Sequence, residues 1–101
     1  PPTCIIYPED TALIGGRNVI IEMGLRIPKD ISVAGYDGTR MSQLLHPKLT
    51  TIKQDTEEIG REAAKRLIGS IEKPKTTLIE RVVIEGILIP GHSVGKIPEQ
   101  K

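Results

Sequence analysis

The chain has 101 residues, enough for one small domain, and its 14 Lys+Arg against 13 Asp+Glu leave a formal net charge of +1. This balance excludes a strong overall field that would steer the chain onto nucleic acid or a membrane surface, and two tyrosines without Phe or Trp argue against a base-stacking surface. A single cysteine excludes a disulfide framework and cannot by itself form a zinc site.

Targeting signals are missing from the sequence as it stands. It contains neither an apolar run long enough to span a membrane nor a basic-then-apolar signal segment. It begins Pro1-Pro2-Thr3 without a Met. We therefore expect an excerpt of a soluble protein with a cytoplasmic location.

The first half of the chain predicts a strand, a helix and a second strand. Residues 4–7 form an apolar, partly β-branched run typical of a buried strand, in which Cys4 would be an inert core thiol. From residue 11 to residue 23, apolar positions recur at three- and four-residue steps, which predicts a helix with Gly24 as its left-handed C-cap. Residues 31–36 predict the second strand, so this half is expected to be a βαβ unit with two parallel strands.

The second half predicts a further strand, a long helix and two short strands. Residues 49–52 form the strand, and Asp55 with Glu58 three positions later resembles a capping box that begins a helix over residues 55–72. Residues 78–84 and 87–89 are β-branched and predict strands. Ile59, Ala63, Leu67 and Ile71 fall on one face of this predicted helix.

Three polar residues stand where predicted strands end. Asp37 follows the second strand, Glu9 follows the first and Gln54 follows the third. Because open α/β folds bind ligands at the carboxyl edge of the sheet, these residues are candidates for holding a small molecule, and a carboxylate there can accept hydrogen bonds from adjacent hydroxyls. The alternatives are local roles: Asp37 as a turn residue, Glu9 as an acid at a helix start, and Gln54 as an ordinary polar residue between strand and helix.

No catalytic arrangement emerges from the sequence. Cys4, His46 and His92 lie far apart in the sequence, and nothing in their spacing assembles them into a nucleophile–base pair or a metal-ligand set. The pair Gly15-Gly16 falls within a predicted helix rather than at its start, so it does not form a phosphate-binding loop. We therefore expect no enzyme activity, no metal and no cofactor.

Two long motifs carry a family resemblance. Residues 25–38, LRIPKDISVAGYDG, resemble a segment typical of LacI/GalR-type transcriptional regulators, and residues 49–55, LTTIKQD, resemble the element that follows it in those proteins. Pro2-Thr3, Asp10, Gly15, Gly60 and Ala63-Ala64 also match, so the likeness covers about residues 2–93. In that family, an N-terminal helix-turn-helix domain precedes a two-lobed effector-binding core shaped like a periplasmic binding protein.

The resemblance gives the candidate residues specific roles. It implies that Asp37 hydrogen-bonds the effector in the cleft between the lobes and that Gln54 lines the same cleft near the lobe crossover. Glu9 falls where many sugar-responsive members carry Asn. Because Glu offers acceptors only, whereas Asn also donates, this departure favours an amine-bearing or donor-rich effector over a standard neutral sugar.

The resemblance also implies a homodimer. The first helix, with Ile14 and Arg17, and the segment with Leu44 and Leu45 match the dimer-forming surface of the family. An exposed Leu44-Leu45 pair is independently consistent with an interface, because contiguous exposed apolar residues mark interaction surfaces.

The expected fold class follows from the same resemblance. It is α/β, a partial periplasmic-binding-protein-like type I fold with a Rossmann-like parallel sheet, the last third of a two-lobed core. Residues 1–54 would belong to the C-terminal lobe, 55–72 would be a helix of the N-terminal lobe, 76–90 would be returning strands, and 91–101 would be a loose tail. With the rest of the N-terminal lobe missing from this chain, that helix would expose Ile59, Leu67 and Ile71. Residues 1–90 together would form the C-terminal portion of the effector-binding and dimerisation core.

The expected function is the effector-binding and dimerisation portion of a DNA-binding transcriptional regulator. Its partners would be a sugar or related metabolite, a second copy of the chain, and operator DNA contacted through a domain absent here, with no membrane. The alternative is a periplasmic-type solute-binding protein of a sugar transporter, which shares the two-lobed architecture but would need a signal peptide. An enzyme on a doubly wound sheet is a third class, disfavoured because no nucleophile, metal set or phosphate loop is apparent.

Overall fold

A computed structural model of the chain describes residues 2–76 and 78–98, which form two compact units. The first unit combines the chain up to Lys53 with the chain from Ile87 onward, and the second unit is Gln54–Gly86. The first unit contains strands β1, β2, β3 and β4, helix α1 and a short 3-10 helix. Their bounds are Cys4–Ile6 for β1, Asp10–Glu22 for α1, Ser32–Ala34 for β2, Arg40–Gln43 for the 3-10 helix, Thr51–Lys53 for β3 and Ile87–Ile89 for β4.

The strands connect side by side in chain order. β1 and β2 are parallel, with Ile5 opposite Val33, which confirms the predicted βαβ unit. A parallel bridge joins residue 34, the last of β2, to residue 50, and a second joins residue 37 to residue 53, so β3 runs in the same direction as β2. β4 is antiparallel to β3. The carboxyl ends of β1, β2 and β3 therefore lie at one edge of this arrangement.

Helix α1 ends as the sequence predicts. Gly24 has a φ of 79°, its N–H donates to the Ile21 carbonyl at 2.9 Å, and the Leu25 N–H donates to the Ile20 carbonyl at 3.2 Å. These two bonds satisfy carbonyls that the helix end would otherwise leave unpaired. The turn directs the chain back toward β2.

A small apolar core lies between α1 and the strands. Its buried residues are Leu13, Ile20, Ile31, Val33 and Leu49. The prediction that β1 is a buried strand is wrong, because Ile5 packs against this core while Cys4 and Ile6 are exposed. Side chains alternate between the faces of a strand, so only one of the three points toward α1, and Cys4 is not a core thiol.

The segment after β4 is held by hydrogen bonds, so the predicted loose tail is wrong for residues 91–95. Ser93 is fully buried: its Oγ accepts from the Thr50 N–H at 2.8 Å and donates to the Val33 carbonyl at 2.6 Å. The Gly95 N–H donates to Ser32 Oγ at 3.0 Å. These bonds link the segment to β2 and to the start of β3, a long-range pairing that a polar composition does not reveal. Residues 99–101 of the predicted tail lie outside the described residues.

The second unit consists of helix α2, Thr56–Glu72, and the chain that follows it. Asp55 caps the helix by accepting from the Glu58 N–H at 3.0 Å, as predicted. The predicted strand over residues 78–84 is wrong: residues 78–86 form neither helix nor strand. Strand propensity takes effect only where a neighbouring strand supplies backbone hydrogen bonds, and none of the described strands lies beside this segment.

No residue of α2 is buried, and Leu67 and Ile71 are exposed, as expected for this chain alone. A shallow groove of about 500 Å³ lies between α2 and residues 80–84. In the part of the chain that the structure describes, no helix combines the length and apolar character needed to cross a membrane.

Candidate functional site

Asp37 lies three residues beyond β2, at the edge where the parallel strands end. Its N–H donates to the Ile52 carbonyl at 2.9 Å, and its side chain is half-buried. Its φ is 107°, and it is the one non-glycine residue with positive φ among those described. Such a conformation costs about 1–3 kcal/mol for a residue with a side chain and persists where the surroundings fix it.

Glu9 and Asp37 lie at the same edge of the sheet. Their chain neighbours are joined by the Asp10 N–H, which donates to the Tyr36 carbonyl at 2.9 Å. Glu9 is exposed and extended, with φ of −156°, and its side chain makes no capping hydrogen bond to α1. Glu9 does stand at the helix start, as the N-cap residue of α1, although its side chain makes no capping hydrogen bond, and Asp10 occupies the first helical turn.

Gln54 follows β3 directly and is half-buried. It is the first residue of the second unit. Its membership of the same site as Asp37 stays a prediction, since only Glu9 and Asp37 are placed within one unit.

Asp10 holds a network that the sequence reasoning missed. Its side chain is 0% exposed, and its carboxylate accepts three hydrogen bonds. Oδ2 accepts from the Thr39 N–H at 2.9 Å and from Thr39 Oγ1 at 3.1 Å, while Oδ1 accepts from Thr51 Oγ1 at 2.9 Å. A side chain at Gly35 would place its Cβ 2.3 Å from Asp10 Oδ1, so glycine is required for this approach. The only local signal for this network is the pair of threonine hydroxyls, at residue 39 in the loop after β2 and at residue 51 at the start of β3.

The residues predicted for a dimer surface behave differently from one another. Arg17 connects α1 to the loop after the 3-10 helix, since its Nη2 donates to the His46 carbonyl at 2.7 Å. Leu44 is 72% exposed, and Ile14 is half-buried. Leu45 is instead packed against the core, so the prediction of an exposed pair is wrong for this residue. The loop has to bury one leucine to close over the core, which leaves the other outside.

The candidate residues at this edge of the sheet offer hydrogen-bond acceptors to a ligand. Carboxylates at Glu9 and Asp37 can accept hydrogen bonds from hydroxyl or ammonium groups of a small molecule. Within residues 2–76 and 78–98, no three His, Cys, Asp or Glu side chains come together as a metal site requires.

Comparison with known proteins identifies the family. The family model of the periplasmic binding protein-like domain matches residues 1–94, so the chain belongs to that family. Its relatives include LacI-type transcriptional regulators, which confirms the resemblance drawn from residues 25–38 and 49–55 and the expected fold class.

Individual relatives match over most of this chain but only part of their own. The lactose operon repressor of Escherichia coli (strain K12) is 43% identical over 67 residues, which are 66% of this chain and 19% of the repressor. A LacI family regulator from Enterococcus faecium with bound ribose has a TM-score of 0.80 at 32% identity, covering 91% of this chain and 34% of that one.

A lac repressor dimer bound to operator and the anti-inducer ONPF has a TM-score of 0.81 at 32% identity, covering 92% of this chain and 32% of that one. Among curated relatives, the chain spans 19% of the length of the lactose operon repressor and 26% of that of the transcriptional repressor PurR of Yersinia enterocolitica. The likeness therefore concerns one part of such proteins.

Proposed function

We propose that this chain is the effector-binding and dimer-forming portion of a cytoplasmic, DNA-binding transcriptional regulator and catalyses no reaction. The effector is a sugar or a related small metabolite, and operator DNA is contacted through another part of the protein. Support comes from the family, from the ribose-bound relative and from the relative that is a dimer on its operator. No observation favours the solute-binding protein of a transporter.

The observation that carries the proposal is the backbone of Asp37. A positive φ at an aspartate is a strained conformation, and strained residues concentrate at ligand sites, where the fold holds them in place. Asp37 also stands at the carboxyl end of parallel strands, which is the ligand-binding edge of such sheets. Its carboxylate is suited to accept hydrogen bonds from two groups of the effector, with Glu9 and Gln54 as further contacts.

Glu9 sets the proposed class of effector. Its carboxylate is exposed at the same edge as Asp37, so two acceptors are presented to one ligand. Two carboxylates repel each other unless cationic or donor groups lie between them. An amine-bearing sugar satisfies this requirement better than a neutral sugar.

The effector class can be tested by thermal unfolding of the full-length protein with ribose, lactose or glucosamine. We expect glucosamine to raise the melting temperature most, and we expect Glu9→Asn to shift the preference toward a neutral sugar by about tenfold in affinity, the loss of one charge-assisted hydrogen bond. Glu22→Asn, an exposed acid at the other end of α1, serves as the control. No stabilisation by any of the three compounds, or equal effects of the two variants, would contradict the proposed effector.

The proposed dimer surface consists of Ile14, Arg17 and Leu44, with Leu45 supporting it from the core side. Arg17 fixes the loop relative to α1, and its Nε finds no acceptor among the described residues. We expect Leu44→Glu to weaken dimerisation of the full-length protein by at least about tenfold, because a charge would be buried without a partner. Met23→Glu, at a position 68% exposed at the end of α1, should leave the dimer intact. Equal dimer dissociation constants for the two variants, measured by analytical ultracentrifugation, would show that the interface lies elsewhere.

A further inference from the structure

We propose that Asp10 and Thr51 are positioning residues that hold the Asp37 backbone in its ligand-binding conformation. This inference rests on the proposed function of Asp37 and extends it to two residues that face the interior. Neither is a ligand contact: Asp10 is 0% exposed and Thr51 is 1% exposed. They act on the chain on both sides of Asp37.

Hydrogen bonds fix each neighbour of Asp37. On the N-terminal side, the Tyr36 carbonyl accepts from the Asp10 N–H at 2.9 Å. On the C-terminal side, the Gly38 N–H donates to Thr51 Oγ1 at 3.2 Å, and both the N–H and the hydroxyl of residue 39 donate to the Asp10 carboxylate. Thr51 Oγ1 donates in turn to Asp10 Oδ1, so one network controls both ends of the turn.

Close packing allows this network little room to rearrange. A Cβ at Gly38 would lie 2.5 Å from the Lys53 Cα, and a Cβ at Gly35 would lie 2.3 Å from Asp10 Oδ1. A buried carboxylate that loses its donors is costly, so Asp10 holds residue 39 in place while Thr51 holds Gly38 against β3. With residues 36 and 38 both fixed, the backbone between them has few allowed conformations, and Asp37 takes the positive φ.

A neighbouring threonine provides a matched comparison. Thr50 Oγ1 accepts from the Gly91 N–H at 3.2 Å, a bond that holds the segment after β4 rather than the turn. Thr50→Val and Thr51→Val each remove one partly or fully buried hydroxyl from adjacent positions. A purely structural role predicts similar consequences for the two variants, whereas a positioning role separates them.

The test uses the full-length protein and its Thr51→Val, Thr51→Ser and Thr50→Val variants, with affinities measured for ribose, lactose and glucosamine. We expect Thr51→Val to accelerate amide hydrogen exchange at residues 36–39 by about tenfold and to weaken binding by about tenfold, because the hydrogen bonds of Thr51 Oγ1 to Gly38 and to Asp10 are both lost. Thr51→Ser keeps the hydroxyl and should rescue both properties. Thr50→Val should leave both unchanged at comparable global stability.

The outcomes separate this inference from the proposed function. Equal exchange and affinity in Thr51→Val and Thr50→Val would overturn the positioning role. In an Asp37→Ala background, Thr51→Val should cause no further loss of affinity, because the positioned group is gone. If Asp37→Ala itself leaves affinity unchanged, the proposed role of Asp37 fails and the inference fails with it, even where hydrogen exchange responds to Thr51→Val.

Discussion

Replacing Asp10 by alanine is expected to lower the free energy of unfolding of the full-length protein by about 3–5 kcal/mol, because three donors would lose their buried acceptor. The Asp10 carboxylate is fully buried and accepts from the backbone N–H and hydroxyl of Thr39 and from the hydroxyl of Thr51. Alanine would leave these donors buried and unpaired, and it would open a cavity beside Gly35.

Urea unfolding provides the measurement, with Glu9→Ala as the control. Glu9 is the preceding residue, is exposed and makes no capping bond, so its loss should change stability by about 0.5 kcal/mol or less. Asp10→Asn keeps the shape and an acceptor oxygen and should fall between the two. If Asp10→Ala proves too unstable to purify, Asp10→Asn carries the comparison. A loss below about 1 kcal/mol for Asp10→Ala would show that the network contributes little.

Replacing Asp37 by alanine is expected to weaken effector binding by about 100-fold or more, which corresponds to two lost charge-assisted hydrogen bonds. Dimerisation and DNA binding should remain, because Asp37 lies at the strand edge rather than on the proposed dimer surface. Calorimetric titration of the full-length protein measures the affinity. An unchanged effector affinity would show that Asp37 does not contact the effector.

Asp37→Gly separates the ligand contact from the backbone strain. Glycine adopts a φ near 107° without penalty, so this variant should lose effector affinity like Asp37→Ala but gain about 1 kcal/mol of stability relative to it. A residue held in a strained conformation for binding raises affinity while it lowers stability, so its replacement by glycine should have the opposite effect on each. Equal stability of the two variants would indicate that Asp37 carries no strain.

Local signals in the sequence account for the elements that were predicted correctly. Apolar periodicity and Gly24 predicted α1 and its end, Asp55 predicted the start of α2, and the β-branched run predicted β4 at residues 87–89. The placement of Asp37 after a parallel strand also follows from chain order alone. Each of these depends on residues close together in the chain.

The features that the sequence did not predict depend on contacts between residues that are distant in the chain. Ser93 looks like part of a polar tail, but it is buried because it joins Val33 to Thr50. Leu45 looks as exposed as Leu44, yet it packs against the core. Asp10 looks like an ordinary first-turn acid, and only the folded chain shows that its carboxylate collects donors from residues 39 and 51.

The most direct test of the account is the operator affinity of the full-length protein with and without its effector. A DNA duplex selected from a random library defines the operator, and the compound that stabilises the protein among ribose, lactose and glucosamine serves as effector. We predict that the compound changes the DNA dissociation constant of the wild-type protein by at least about fivefold, a typical coupling between two sites, and leaves that of Asp37→Ala unchanged. Failure to select any DNA sequence, or an equal response in Asp37→Ala, would contradict the central claim.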